Sequence, residues 1–293
     1  MNTKAITLEE REKILGWKLI IPSLLIICSL ILYPVVYNIY LSFFRVSLDP
    51  RIPKRFVGLA NYRHILKDSG FWTAFGTNWL FTIMTVAGNV LIGLAVALLL
   101  NRKFPGRWFV RAIVLLPYVT PVISTVFVWK YIFYPIDGPF LNIFANTLHL
   151  VKPNVDIVNN TKNAIWVVTI FNIWRNFPFA YLMFLATLQS IPASLYEAAE
   201  IDGANVWHKF RYITLPELYF VMGALVLLRG IWNFYKFDEV YLMSKFANTL
   251  PVYIYEKAFS GLPEQGVAAS MSTLLFIILM VFIWFYVKKV LKW

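Results

Sequence analysis

The sequence predicts an all-α protein that crosses a membrane six times, and two properties of the chain lead to this prediction. The 293 residues are 59% hydrophobic and 18% aromatic but only 14% charged, whereas soluble domains carry about 25% charged residues. Six stretches also approach the roughly 20 mostly apolar residues that a membrane-spanning helix needs. A mean hydropathy of +0.65 agrees with a polytopic membrane protein.

The six apolar stretches are expected to form one transmembrane domain, residues 1–293. The predicted spans cover about residues 17–44, 71–101, 109–133, 163–189, 216–237 and 267–289. In the second stretch, residues 79–100 fit a span best and residues 70–78 form a lead-in segment. Prolines in or near the spans predict kinks, which membrane bundles tolerate when neighbours satisfy the freed carbonyl groups. These prolines are Pro34, Pro117, Pro121 and Pro178.

The excess of basic residues is interpreted as a membrane feature rather than as a nucleic-acid surface. The net charge is +12, but few basic residues fall in runs. They suit the flanks of membrane spans, where they face anionic membrane lipid. Cys28 is the one cysteine and the three histidines are far apart in sequence, so no disulfide within the chain, no metal site and no cofactor are expected.

No signature of catalysis is present. The chain contains neither Gly-x-x-x-x-Gly-Lys-Ser/Thr nor Gly-x-Gly-x-x-Gly, so it is not expected to bind or hydrolyse ATP alone. No Ser-His-Asp or paired-carboxylate arrangement can be argued from the sequence. An intramembrane enzyme would need buried ionisable groups. Arg175 and Arg229 are the clear ones, and this class is the less favoured.

The most polar segment in the second half of the chain lies between the fourth and fifth spans, at residues 190–216. It predicts two short helices with a break. Ser194 is expected to cap the first helix, with Glu197 completing a capping box, and Gly203 to end it in a left-handed conformation. Pro216 suits the first turn of the following helix. An ordinary amphipathic loop between two membrane helices would also fit.

The order of residues in this segment resembles the EAA loop of ATP-binding-cassette (ABC) importer permeases. Glu197-Ala198-Ala199 is followed by Gly203 and then by Ile213, Leu215 and Pro216. Residues 188–192 and 201–204 are similar to the carbohydrate branch of that family. Further similarity, at residues 56–62, 111–117, 237–238 and 253–259, extends the resemblance over nearly the whole chain. Residues 244–249 depart from it, because many relatives have a Gly-Gly-Pro element there.

The resemblance implies the first permease of a maltose- or glycerol-phosphate-type pair. Such a subunit forms half of the translocation pathway for a sugar or oligosaccharide, in a heterodimer with a second permease subunit. An extracytoplasmic solute-binding protein delivers the sugar, and two ABC ATPase subunits grip the EAA loops and drive alternating access. The implied ATPase-coupling residues are Glu197, Ala198, Ala199, Asp202, Gly203, Ile213, Leu215 and Pro216.

Two groups of polar and aromatic residues are candidates for the sugar site. Asn172 and Asn176 share a helix face at i, i+4, and amides hydrogen-bond to hydroxyl groups. A second face combines Arg229, Trp232, Asn233 and Lys236, where the indole ring suits the apolar face of a sugar. The substrate-binding candidates are Asn172, Arg175, Asn176, Arg229, Trp232 and Asn233. Helix packing or the interfacial belt is the alternative role for asparagine and tryptophan. The arginines would meet an anionic substrate, a backbone carbonyl or another subunit.

The orientation in the membrane is expected to place both termini in the cytoplasm. The basic residues of the predicted cytoplasmic and outer segments are nearly equal in number, and the outer segment 45–67 conflicts with this orientation. The dense basic loop 101–111 and the tail 288–293 favour it, and the resemblance breaks the tie because the EAA loop of that family is cytoplasmic. The alternative function is an ATP-independent channel or ion-coupled carrier for small polar solutes, which has no need of an EAA loop.

Overall fold

The structure, a computed structural model, describes residues 8–46, 51–149, 155–261 and 263–291. Parts of the predicted outer segments and the end of the basic tail lie outside these residues. The helices are α1 (Leu8–Leu41), α2 (Ala60–Lys67), α3 (Ser69–Asn101), α4 (Arg107–Val119), α5 (Val122–Ile132), α6 (Pro139–Leu141), α7 (Ala164–Ser190), α8 (Ala193–Ile201), α9 (Val206–Phe234), α10 (Asp238–Met243), α11 (Leu250–Phe259) and α12 (Gln265–Tyr286). Two short antiparallel strands, β1 (Phe44–Arg45) and β2 (Arg55–Phe56), pair with Phe44 opposite Phe56.

Helices occupy all six apolar stretches. Four helices, α1, α3, α9 and α12, are by themselves long and apolar enough to cross a membrane. Two pairs also qualify when each is counted as one bent span: α4 with α5, at an angle of 94°, and α7 with α8, at 66°. The total is then up to six.

Several predicted helix boundaries are wrong. The first helix begins at Leu8, within the charged N-terminal segment, and α3 is continuous from Ser69, so residues 70–78 are not a separate lead-in. The predicted start of the fifth span at about residue 216 is also wrong, because α9 runs without interruption from Val206 through Pro216. The helix accommodates Pro216 by forming a π-helical turn just before it, at Phe210–Thr214. The break predicted within residues 190–216 is present, between Ile201 and Val206.

The four prolines that predict kinks have different effects. The sharp bend between α4 and α5 comes directly before Pro121, where Thr120 is extended with φ −68° and ψ 143°. A residue that precedes proline is disfavoured in the helical region, which explains this break. Pro117 and Pro178 lie inside α4 and α7, and Pro34 lies inside the continuous α1. Only Pro121 therefore adjoins a sharp bend among these four.

The described residues group into two compact units, the first formed by parts of Met1–Lys67 and Tyr255–Leu274. In this unit the end of α1 packs on the start of α12. Asn38 Nδ2 donates to Ala269 O at 3.3 Å, and Ser270 Oγ donates to Ser42 O at 2.8 Å. Gly266 is required here, because a Cβ atom at this position would collide with the carbonyl oxygen of Phe44.

The second unit, from Asp68–Ile254 and Leu275–Trp293, contains the candidate sites. Its centre is the pair α3 and α7, which approach closely where Gly88 faces Ile173 and Gly93 faces Ala180. Since the residue numbers increase together along these contacts, the two helices run parallel. Helix α9 packs against both. The apolar core between them includes Phe184, Leu188, Leu218 and Leu225.

Candidate coupling loop and substrate site

Helix α8 begins where the chain leaves α7 at Ile191 and Pro192. Both residues are extended, with ψ values of 124° and 131°, as expected before and at a proline that starts a helix. No side chain caps α8. The predicted capping box of Ser194 and Glu197 is therefore wrong, because α8 starts at Ala193 and Ser194 already lies inside it.

The end of α8 agrees with the prediction for Gly203, whose φ of +77° is left-handed. The Gly203 N–H donates to Glu200 O at 3.0 Å and the Ala204 N–H donates to Ala199 O at 2.8 Å. These two bonds form a Schellman motif with Gly203 at its left-handed position. A Cβ atom on Gly203 would touch nothing within 4 Å, so the requirement for glycine here is conformational rather than steric.

Helix α8 is braced against the first turns of α9. Tyr196 Oη and Thr214 Oγ1 are hydrogen-bonded at 2.9 Å, and Lys209 Nζ lies 2.6 Å from Glu200 Oε1. The connection itself is capped, because Asn205 Oδ1 accepts from the His208 N–H at 2.9 Å. The two helices of the coupling loop are therefore fixed to each other, which suits an element that transmits force.

The outer surface of α8 is open to solvent. None of its residues is buried, and Ile201 at its end is 88% exposed. The proposed coupling residues divide by exposure. Glu197, Ala198, Asp202, Gly203 and Pro216 are exposed, whereas Ala199, Ile213 and Leu215 are half-buried. A carboxylate at Glu197 beside small alanine side chains leaves this face free for close contact with another protein.

Among the substrate candidates, the structure brings Asn176 of α7 and Arg229 of α9 together. Arg229 Nη1 donates to Asn176 Oδ1 and Nη2 donates to Asn176 O, both at 3.2 Å. The guanidinium group also lies over aromatic rings, 4.5 Å from the centre of Phe179 and 5.3 Å from that of Trp232. Arg229 and Asn176 are buried, so this pair is an internal contact in this conformation.

Arg175 lies in a different environment, at the bend between α4 and α5. Its Nη1 donates to Pro117 O at 3.2 Å and to Thr120 O at 2.9 Å. These carbonyl groups belong to the last turn of α4 and to the residue that follows it. Its Nε lies 3.4 Å from Glu239 Oε1, and Lys236 Nζ is 3.0 Å from the other Glu239 oxygen. The structure thus places Arg175 on backbone carbonyls, one of the roles that the sequence left open.

The remaining candidates differ in exposure. Trp232 is 39% exposed, whereas Asn172 and Asn233 are buried. Asn172 Nδ2 donates to Val168 O at 3.0 Å. The face predicted for Arg229, Trp232, Asn233 and Lys236 is therefore mostly internal, with the indole ring of Trp232 at its surface.

Sequence reasoning missed three residues that complete these contacts. Phe179 and Tyr118 place rings beside the Arg229 guanidinium, and Glu239 forms ion pairs with both Arg175 and Lys236. A local signal was present for two of them. Phe179 lies three residues after Asn176 on the same face of α7, and Glu239 lies three residues after Lys236, an opposite charge close in sequence. Tyr118 is on another helix and gave no local signal.

An exposed, braced helix between two membrane helices, in a chain without a nucleotide-binding motif, is typical of the permease class of transport subunits. Residues 89–292 match the family model of the binding-protein-dependent transport system inner membrane component. The chain belongs to this family. It is a multi-pass inner-membrane permease component of an ABC transporter, and not itself the ATPase.

Two relatives agree with this assignment. The inner membrane ABC transporter permease protein YcjO of Escherichia coli (strain K12) is 44% identical over 93% of this chain and 92% of its own length. The trehalose/maltose transport system permease protein MalF of Thermococcus litoralis is 33% identical, over 98% and 97%.

The crystal structure of a bacterial ABC transporter involved in the import of alginate contains a chain with a TM-score of 0.80 and 18% identity, over 97% of both chains. This likeness shows a shared fold, and it confirms the predicted all-α permease fold of about six spans.

Proposed function

We propose that this permease forms half of the import pathway for a sugar or oligosaccharide. The trehalose/maltose permease MalF is similar over nearly the full length of this chain, which favours a carbohydrate as the cargo. The other half of the pathway is a second permease subunit in a heterodimer. An extracytoplasmic binding protein delivers the sugar, two ABC ATPase subunits supply the energy, and membrane lipid surrounds the spans.

The observation that carries the coupling mechanism is the exposed helix α8. Its middle and its C-terminal end are held in place by the bonds from Tyr196 to Thr214 and from Glu200 to Lys209 and by the Schellman motif at Gly203. Its open face presents Glu197, whose carboxylate offers charge-assisted hydrogen bonds to an ATPase groove. A movement of the ATPase subunits is then transmitted to α7, which ends at this loop, and to α9, which begins in it.

The sugar contact within the membrane is proposed at Trp232, because its ring is the exposed member of the candidate set. Arg229 lies over this ring and is held by Asn176, so the two residues support that surface. Asn172 and Asn233 are buried in the same two helices. Arg175 contributes through the bend of α4 and α5, to which it is bound. An amphipathic ring held by a buried polar network is suited to stack on a sugar.

Substitution of Gly203 tests the coupling role. We expect Gly203→Val to reduce both the retained ATPase subunit and the binding-protein-stimulated ATP hydrolysis of the purified complex, because a Cβ in the left-handed region costs about 1–2 kcal/mol. Glu197→Lys should act similarly by reversing the charge of the docking face. Gly203→Asn should be milder, since asparagine tolerates this conformation.

The matched control is Gly106→Val. Gly106 precedes α4, has a φ of +76° and has equally open space around its Cβ position. It therefore imposes the same backbone strain outside the coupling loop. Equal losses in the Gly106 and Gly203 variants would assign the effect to general strain. Wild-type values for Gly203→Val and Glu197→Lys would make residues 190–216 a simple connector.

A further inference from the structure

Helix α3 carries a buried polar stripe that the proposed transport function does not use. Asn78, Thr82, Thr85 and Asn89 follow one another at i, i+4, i+7 and i+11, so they lie on one face of the helix. None is more than 5% exposed. Within the described part of the chain, each has a side-chain polar atom without a hydrogen-bond partner, and Asn89 lacks partners for both its amide oxygen and its amide nitrogen.

The facing helices contribute further atoms of the same kind. Asn172 Oδ1 of α7, and Asn233 Nδ2 and Arg229 Nε of α9, are also buried without a partner among the described residues. Asn78 Nδ2 donates to Phe234 O at 2.9 Å, which places Asn78 beside the turn that holds Asn233.

Further along α3, Gly88 packs on Ile173. The α3 turns that hold Thr85 and Asn89 therefore lie near the α7 turns that hold Asn172 and Asn176. Arg229 of α9 forms its hydrogen bond to Asn176 in this same region of α7. The unpartnered atoms of all three helices therefore follow one seam between α3, α7 and α9.

The hydroxyl groups of Thr82 and Thr85 differ from those of other threonines in α3 and α7. A helical threonine ordinarily satisfies its hydroxyl on the carbonyl four residues earlier. Thr77 of the same helix does so on Thr73 O at 2.9 Å, and buried Thr169 of α7 does so on Ile165 O at 2.7 Å. Thr82 and Thr85 do not. Buried polar groups in folded proteins are paired with protein atoms or with ordered water.

Water fits the chemistry of the seam better than a cation or a sugar. Hydroxyl and amide groups both donate and accept, as water does, whereas a cation would use only their oxygens and would lie near the Arg229 guanidinium. The stripe is closed to solvent, which excludes a sugar.

We propose that the seam between α3, α7 and α9 binds a file of ordered water molecules, held by Asn78, Thr82, Thr85 and Asn89 with Asn172 and Asn233. The water bridges the three helices where their side chains do not reach one another. It also gives the Arg229 Nε a hydrogen-bond acceptor in the interior. Water-mediated bonds are nearly as favourable as direct ones, so the three helices are joined by contacts that a small relative shift can re-form.

Direct observation of the complete importer in lipid nanodiscs tests this proposal. A cryo-electron microscopy map that resolves water should contain at least two separate peaks within hydrogen-bond distance of Thr82, Thr85 or Asn89. A seam without peaks, closed by direct side-chain bonds, would overturn it. So would one peak surrounded by oxygens at the short distances of a metal ion.

Threonine-to-valine variants of the same complex provide the second measurement. If water binds the seam, Thr82→Val and Thr85→Val should each lower the Tm by about 2–4 °C, because the water loses a partner. The control, Thr169→Val, removes a buried hydroxyl that is satisfied within its own helix and should change the Tm less. An unchanged or raised Tm for both seam variants would mean that the hydroxyls are unpaired, and the proposal would fail.

Discussion

At the scale of single residues, the candidate substrate site depends on the contacts that stabilise the buried guanidinium group of Arg229. The sequence identified Asn176 and Arg229 as separate candidates on two helices that are 53 positions apart, and nothing in the intervening sequence indicated that they touch. Arg229 has no carboxylate within ion-pair distance in the described structure, and its charge is spread over an amide, a backbone carbonyl and the rings of Phe179 and Trp232. Such contacts arise from helix packing, which residue spacing within one helix does not encode.

Removing the amide of Asn176 should therefore affect stability as well as transport. We expect Asn176→Leu to destabilise the purified complex by about 1–3 kcal/mol, because hydrogen bonds to charged groups are worth about that much and their loss leaves the guanidinium under-solvated. Asn233→Leu should cost less, since the Asn233 Nδ2 has no protein partner in the described residues. Thermal unfolding of both variants measures the difference. A larger loss for Asn233→Leu would contradict this assignment.

At the scale of elements, the sequence located the helices better than their bends. Six apolar stretches predicted six helical regions, and glycine predicted the end of α8 because its left-handed φ is a local property. The bends depend on contacts between helices. Pro121 interrupts the span because Thr120 before it is extended, and Arg175 of α7 stabilises the resulting bend by donating to the carbonyl groups of Pro117 and Thr120. Pro178 has no such interruption, and the surrounding residues of α7 remain helical.

Replacing Arg175 should destabilise the bend between α4 and α5. Arg175→Lys keeps the charge, but one ammonium group cannot reproduce the planar fork that reaches two carbonyls and Glu239. We expect a lower Tm and reduced transport at all sugar concentrations. Glu239→Gln should be milder, because both carbonyl bonds of Arg175 remain. A normal Tm with only a raised KM for transport would instead make Arg175 a direct substrate contact.

At the scale of the whole molecule, two helices have large apolar faces that no other described residue covers. Neither α1 up to Leu41 nor α4 has a buried residue, although both are rich in apolar side chains. Two lysines follow the end of α12. Lys288 lies over the ring of Trp284 and Lys289 over that of Phe285, an arrangement typical of the interface between lipid and water. The basic residues of this tail and of loop 101–111 support cytoplasmic termini, whereas the basic outer segment 45–67 opposes them.

Cysteine labelling decides this orientation. Asn205 is unsuitable for substitution because its side chain caps α9, so we choose Val206, which is 73% exposed. In a Cys28→Ser background, Val206→Cys should resist an impermeant thiol reagent in spheroplasts and react in inverted membrane vesicles. Ile136, 72% exposed in the segment after α5, is the matched position on the expected outer side. Ile136→Cys should react in spheroplasts. The opposite pattern at both positions would reverse the topology and place α8 out of reach of a cytoplasmic ATPase.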